Sequence, residues 1–247
     1  SWSIFENFAK LNNLNIIKSD LKIQNNKLIT NFDDILFKIT SLTRLIYLIM
    51  PIQENELKKF INKIPDGILI IIDFCYYDFL DVNFDFKQII NNEHVICLFS
   101  FSKFHGLANL QLGYVITNQV VINLFKLCQI TQVPTFKEEI ALIGLNDKNH
   151  NNKVKNYYKN EKAKIFNILK IHKIEYIDSY QNFIYIKFNK HENLKNELKK
   201  YDIYYDCIAD LEGYVVLVIY SPEFNKKILD SIIKISINNY LQYNENI

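Results

Sequence analysis

The stretch SFSKFHGLANLQLGY, residues 100–114, holds a single lysine, Lys103, between hydroxyl side chains and a glycine. It directly follows the apolar run VICLF, residues 95–99. A short continuous apolar run of this kind reads as a strand buried on both faces, the habit of parallel sheets. Lysine is abundant in this chain, so the stretch poses a choice. Lys103 is either a reactive amine at a strand end or one more solvated loop charge.

Working outward, the first half alternates β-rich runs with amphipathic segments. ILIIIDF, residues 68–74, is a second continuous apolar run. Further strands are expected over 14–18, 42–49 and 112–117. Helices are expected over 31–39, capped by Asn31, and over 54–63 and 85–90. Beyond Gln119 the pattern turns helical, over 119–128 and, past Pro134, over 136–145. Apolar strands separated by helices predict an α/β fold, a mostly parallel sheet with helices on both faces.

The segment 146–164, NDKNHNNKVKNYYKNEKAK, is strongly polar but keeps a ragged apolar face through Val154, Tyr157, Tyr158, Ala163 and, beyond it, Ile165 and Leu169. This spacing predicts a long, solvent-laced helix. Strands over 182–188 and 214–220 and helices over 191–200 and 223–243 complete a small C-terminal α+β domain. The division expected is a large domain over 1–150, then a linking helix and small domain over 151–247.

Composition narrows the function. With 247 residues, 49% hydrophobic and 23% charged, the chain can bury a sizeable core and has a globular balance. Net charge is only +2, and lysines interleave with Asp and Glu, which argues against a dedicated nucleic-acid surface. Among 29 basic residues Arg44 is the only arginine, so any arginine clamp on a carboxylate or phosphate has one candidate. The four cysteines lack paired spacing and read as reduced thiols of a cytoplasmic protein. The five histidines are scattered, so no metal site is expected. No apolar run approaches the roughly 18–20 residues of a membrane span. Five glycines leave no GxGxxG or GxxxxGK phosphate loop.

Two strands end in chemistry. ILIIID closes on Asp73, with Tyr76 just beyond, and VICLF is followed by Ser100, Ser102 and Lys103. In an open parallel sheet, ligands lie beyond the carboxyl ends of the strands, so these residues are expected at one crevice. An amine that condenses with an aldehyde, a carboxylate for a ring nitrogen, a phenol and two hydroxyls suit pyridoxal phosphate. The residues alone leave open that Lys103 is a loop charge, Asp73 a cap and Tyr76 core packing.

The segment SFSKFHGLANLQLGYVITN resembles the lysine region of the fold-type I pyridoxal-phosphate aminotransferases, in particular the histidinol-phosphate aminotransferase branch with its T-F-S-K-x-x-G-L-A-G-L-R-L-G-Y. DFCYYDF is similar to that family's D-E-A-Y-x-E-F, thirty positions before the lysine. LTRLIYLIMP, SWSIFENFAKLNN, YQNFIYIKF and LEGYVVLVIYSPEFNKKILDSI resemble further parts of it in collinear order. The resemblance implies Lys103 as the lysine that bonds the cofactor, Asp73 as partner of the pyridine nitrogen, Tyr76 as donor to the ring oxygen, and Ser100 and Ser102 as phosphate ligands. It implies amino-group transfer between glutamate and imidazole-acetol phosphate, small-molecule donor and acceptor, a cytoplasmic homodimer, and a large domain incomplete on its N-terminal side. A related threonine-phosphate decarboxylase shares these motifs.

Departures accompany the match. Gln111 stands where the family has its phosphate-binding arginine, and Val216 where a C-terminal arginine would grip the substrate. IMPIQEN replaces the family's N-P-N-N-P-T-G turn. A charge-assisted hydrogen bond is worth roughly 1.5–3 kcal/mol, so losing two arginines implies cofactor and substrate binding weaker by orders of magnitude. The rival expectation is therefore an inactive remnant or structural partner built on the aminotransferase fold.

Overall fold

The computed structural model describes residues 3–49, 52–80, 82–128, 132–179, 181–188, 196, 198–200, 211 and 213–244. The chain divides into two compact units, Ser1–Lys148 and Asn149–Ile247.

In the first unit, helix α1 (Ser3–Leu11) precedes a hairpin of β1 (Lys22–Gln24) and β2 (Lys27–Ile29), then α2 (Phe32–Lys38). The sheet follows as β3 (Leu45–Ile49), α3 (Glu54–Ile61), β4 (Leu69–Asp73), α4 (Phe86–Ile90), β5 (Val95–Ser100) and β6 (Gly113–Thr117). Strand order is β3-β4-β5-β6, with β3, β4 and β5 parallel and β6 antiparallel to β5. Helices α5 (Gln119–Cys128) and α6 (Thr135–Asn146) close the unit.

Alternation sorts the sheet into two faces. Ile46 and Leu48, Ile70 and Ile72, and Val95, Cys97 and Phe99 are buried on one face, against Leu57, Phe60 and Ile61 of α3 and Ile89 of α4. Tyr47, Ile71, Asp73, Leu98 and Ser100 fall on the other, since Ile71 pairs with Tyr47, and Asp73 with Leu98. The apolar face anchors the sheet. The second face carries the polar strand ends.

In the second unit, α7 (Lys148–Ile171) is followed by β7 (Tyr176–Asp178), β8 (Phe183–Lys187), β9 (Tyr214–Val218) and α8 (Pro222–Asn244). The three strands pair antiparallel, β7 with β8 and β8 with β9. Ile165 and Leu169 of α7 pack with Ile184, Ile186, Val215 and Leu217 of the sheet and Ile228, Leu229 and Ile232 of α8. Ser221 caps α8 by accepting the Phe224 N–H at 3.3 Å, and Pro222 takes the first helical position, where no N–H is needed. Lys162, its side chain 13% exposed, pairs with Asp178 at 2.6 Å and ties α7 to β7.

Most expected elements are present within a residue or two at each end, and Asn31 caps α2 by accepting the Asp34 N–H. The strand expected over 14–18 is not one. These residues are exposed and pair with no strand, while the hairpin forms downstream, where Asn25 and Asn26 take the positive φ of a two-residue turn. β7 was not anticipated. The helix expected over 191–200 lies largely outside the described residues.

Candidate functional site

The carboxyl ends of β4 and β5, with the bends that follow them, bring the five expected site residues close in the fold. Asp73 is the last residue of β4 and Ser100 the last of β5. They share the face opposite the apolar core, in neighbouring strands. Ser102 and Lys103 follow in the bend after β5; Ser102 is half-buried and Lys103 exposed.

Asp73 is fixed from two directions. Its Oδ1 accepts the Cys75 backbone N–H at 2.9 Å, and its Oδ2 accepts the Tyr47 hydroxyl at 2.5 Å. Tyr47 was not singled out from sequence. A tyrosine within LIYLI looks like ordinary strand filling, and only the parallel register puts it on the face of Asp73. Burial first, then the bond to Asp73, pushes the Tyr47 phenol far above its ordinary value, so it stays a donor.

The turn after β4 orients Tyr76. Phe74 is fully buried among Tyr77, Phe84, Phe86 and Phe99, with ring centroids 5.3–5.8 Å away. Tyr77 locks the chain beyond, donating its hydroxyl to the Val82 carbonyl at 3.0 Å and accepting the Phe84 N–H at 3.1 Å. Tyr77 is thus the packing tyrosine. Its half-buried neighbour Tyr76 turns to the bend after β5, where Lys103 Nζ lies 5.9 Å from its ring centroid. A cation–π contact at that distance and exposure is worth about 0.5–1 kcal/mol.

Cys75 reports the local field. Burial, followed by the hydrogen bond and charge of Asp73, pushes its thiol up to about 12, while Lys103 and Ser100 pull it down. Its surroundings therefore include the carboxylate, the ammonium and the serine hydroxyl. The Ser100 hydroxyl also accepts the Ser102 N–H at 3.1 Å, which fixes the start of the bend. Leu107 N–H returns to the Phe101 carbonyl at 3.0 Å and Phe101 N–H to the Leu112 carbonyl at 3.1 Å, closing the loop that carries Lys103.

His105 also escaped the sequence reading. Its side chain is 4% exposed, between Phe101 and Phe104, and Nε2 lies 3.5 Å from Asp78 Oδ2. The departures have definite places. Gln111 is exposed and left-handed, with φ 50° and ψ 47°. Val216 is half-buried in the middle of β9. Arg44 precedes β3, at the opposite end of the sheet from Asp73, with Nη1 donating to the Ser41 and Thr43 carbonyls. The turn at 50–51 lies outside the described residues. Among the described residues no helix is long and apolar enough to cross a membrane.

An amine, a fixed carboxylate, a phenol and hydroxyls at adjoining strand ends fit pyridoxal phosphate at its aldehyde, ring-nitrogen and ring-oxygen sides. Gln111 itself brings no positive charge for the phosphate, and the neighbouring Lys137 ammonium donates to the Leu110 carbonyl at 2.9 Å.

The model of the family "Aminotransferase class I and II" matches residues 51–243. A histidinol-phosphate aminotransferase of Campylobacter jejuni is 31% identical over 189 residues, 69% of this chain and 50% of that protein. The chain spans about half the length of the curated relatives it matches. Two solved structures share the fold. The histidinol-phosphate aminotransferase of Clostridium acetobutylicum superposes with TM-score 0.83 at 20% identity, covering 96% of this chain and 76% of that one. That of Sinorhizobium meliloti, in complex with pyridoxal-5'-phosphate, gives 0.82 at 15%, covering 94% and 67%.

Proposed function

The chain belongs to the aminotransferase class I and II family, whose cofactor is pyridoxal 5'-phosphate, and from that premise we propose that Lys103 bonds the cofactor in an amino-group transfer between glutamate and imidazole-acetol phosphate. The observation that carries this reading is the meeting of Asp73, Tyr76, Ser100 and Lys103 at the ends of two parallel strands. The substrate pair is supported by the relatives' names and by the histidinol-phosphate-aminotransferase-like pattern around Lys103.

When bound, the cofactor supplies an electron-withdrawing ring that stabilises negative charge on the substrate carbon. The chain's own residues do the rest. Asp73, held by Tyr47 and the Cys75 N–H, presents a carboxylate to the ring nitrogen. Tyr76 offers its hydroxyl to the ring oxygen, and Ser100 and Ser102 offer theirs to the phosphate. Lys103 would hold the cofactor through its amine and, when that amine is free, would serve as the general base that moves the proton at the substrate carbon. In this reading residues 1–150 are the cofactor domain, 151–247 the small domain, and the working assembly is a homodimer.

Arg44 favours a second reading. The only arginine is committed to two backbone carbonyls at the far end of the sheet. With no arginine left for the phosphate, the chain would keep the cofactor pocket as scaffold and would not turn over. Both readings meet one experiment. The purified chain is mixed with pyridoxal phosphate, reduced with borohydride, and the modified lysines are mapped by mass spectrometry. Stoichiometric labelling at Lys103, lost in Lys103→Ala, is expected; transaminase turnover then separates enzyme from scaffold. Labelling spread over many lysines would overturn the assignment of Lys103.

A further inference from the structure

We propose that Tyr47 is a positioning residue of this site, setting the plane in which Asp73 meets the ring nitrogen of its ligand. The proposal rests on the assignment of Asp73 made above.

Three observations carry it. First, in the β3–β4 register Tyr47 pairs with Ile71, so the next residue of β4 on its face is Asp73. The side chains meet because the strands are parallel, and the phenol reaches forward along the sheet to Oδ2 at 2.5 Å. Second, the Cys75 N–H occupies Oδ1 at 2.9 Å. Two donors on two different oxygens stop the carboxylate from rotating. Each oxygen keeps a lone pair, so the group accepts a third donor without giving up the first two. Third, Tyr47 is itself held. The Phe5 ring of α1 lies 4.3 Å from it, centroid to centroid, inclined by 32°.

Asp73 is thus aimed before any ligand arrives. With phenylalanine at position 47, Oδ2 would lose its charge-assisted donor, and the carboxylate would have to be ordered when the ligand binds. The benefit is felt only by a ligand that offers Asp73 a protonated ring nitrogen.

That condition gives the test. The 247-residue chain, Tyr47→Phe, Asp73→Asn and the double variant are titrated with pyridoxal phosphate and with its carbocyclic analogue, in which C–H replaces the ring nitrogen. Binding is read from the absorbance of the Lys103-bound chromophore, with borohydride mapping to confirm the lysine. Tyr47→Phe is expected to weaken pyridoxal phosphate about tenfold, the scale of one charge-assisted hydrogen bond. The same change should leave the carbocyclic analogue unaffected and add nothing in the Asp73→Asn chain. That last comparison reads the coupling even if Tyr47→Phe lowers stability. Equal weakening of both ligands, or none, overturns the role of Tyr47 and leaves Lys103 and Asp73 standing. A parent chain that forms no adduct at Lys103 overturns the site assignment and the role of Tyr47 with it.

Discussion

The carbonyl oxygen of Phe99 lies well inside contact distance of the point where a Cβ on Gly113 would stand. Gly113 pairs with Ser100 at the end of β5, so β6 lies against the strand that launches the Lys103 bend only because this residue has no side chain. The obstacle is backbone in a paired strand and cannot swing aside. Gly113→Ala is expected to cost about 2–4 kcal/mol in chemical denaturation, as strained or overpacked backbone sites do. It should also weaken any ligand held by Lys103. A variant as stable as the parent would show that β5 and β6 part easily here.

Much of this was legible in the sequence. ILIIID and VICLF are unbroken apolar runs because no residue of β4 or β5 is exposed on either face, and the runs stop at the strand ends where Asp73 and Ser100 lie. The region 14–18 misled for the converse reason. Leu14, Ile16 and Ile17 are apolar, yet they are exposed and pair with no strand, and the turn that makes a hairpin is written in Asn25-Asn26. Tyr47 was hidden because its importance lies in register. One residue of slip would send its hydroxyl to the opposite face. His105 was hidden because a lone histidine in a loop gives no sign of burial.

Burial without hydrogen bonds makes His105 a testable cost. Both ring nitrogens are buried and lack a hydrogen-bond partner among the described residues, and the ring sits 5.4 Å from Phe101 and 5.2 Å from Phe104, centroid to centroid. Unsatisfied buried polar groups cost about 1–3 kcal/mol, whereas an apolar ring of similar shape does not. His105→Phe is therefore expected to match or exceed the parent in a urea melt, by up to about 1 kcal/mol. A clear loss would mean that the approach to Asp78 at 3.5 Å is itself stabilising.

In the second unit, Glu161 makes stability depend on acid. Its side chain is 6% exposed and pairs with Lys164 at 2.7 Å, and it accepts Asn225 Nδ2 at 3.0 Å. Asn225 in turn accepts the Tyr220 N–H at 2.7 Å, joining α7 to the chain between β9 and α8. Lys164 holds the carboxyl below its usual value, burial opposes this, and Asn225 adds to the lowering. The folded state thus binds its proton later than the unfolded chain as acid is added. The contribution is complete above the ordinary carboxylate value and is lost as pH falls through the lowered one. Glu161→Gln should remove about 1 kcal/mol at neutral pH and flatten this step in denaturation curves taken from pH 6 to 3. An unchanged acid slope would place the step in other carboxylates.

Cys75 permits a test of the site's electrostatics with no ligand at all. Its thiol, pushed up to about 12, is raised by burial and then by Asp73, and lowered by Lys103. Removing the carboxylate charge in Asp73→Asn should bring the thiol down and raise the thiolate fraction, speeding alkylation about threefold for each pKa unit recovered, since a less basic thiolate is also less nucleophilic. Lys103→Met should act in the opposite sense, since the nearby ammonium is lost. Two internal references keep the comparison clean. Cys128 is exposed, and Cys97, buried beneath the sheet, owes its own rise to about 12 to burial alone, so neither rate should move. The measurement is iodoacetamide labelling at pH 9, followed per cysteine by mass spectrometry. Opposite shifts at Cys75 in the two variants would establish that Asp73 and Lys103 act on one point in solution. Shifts of the same sign would mean that the substitutions merely loosen the turn after β4.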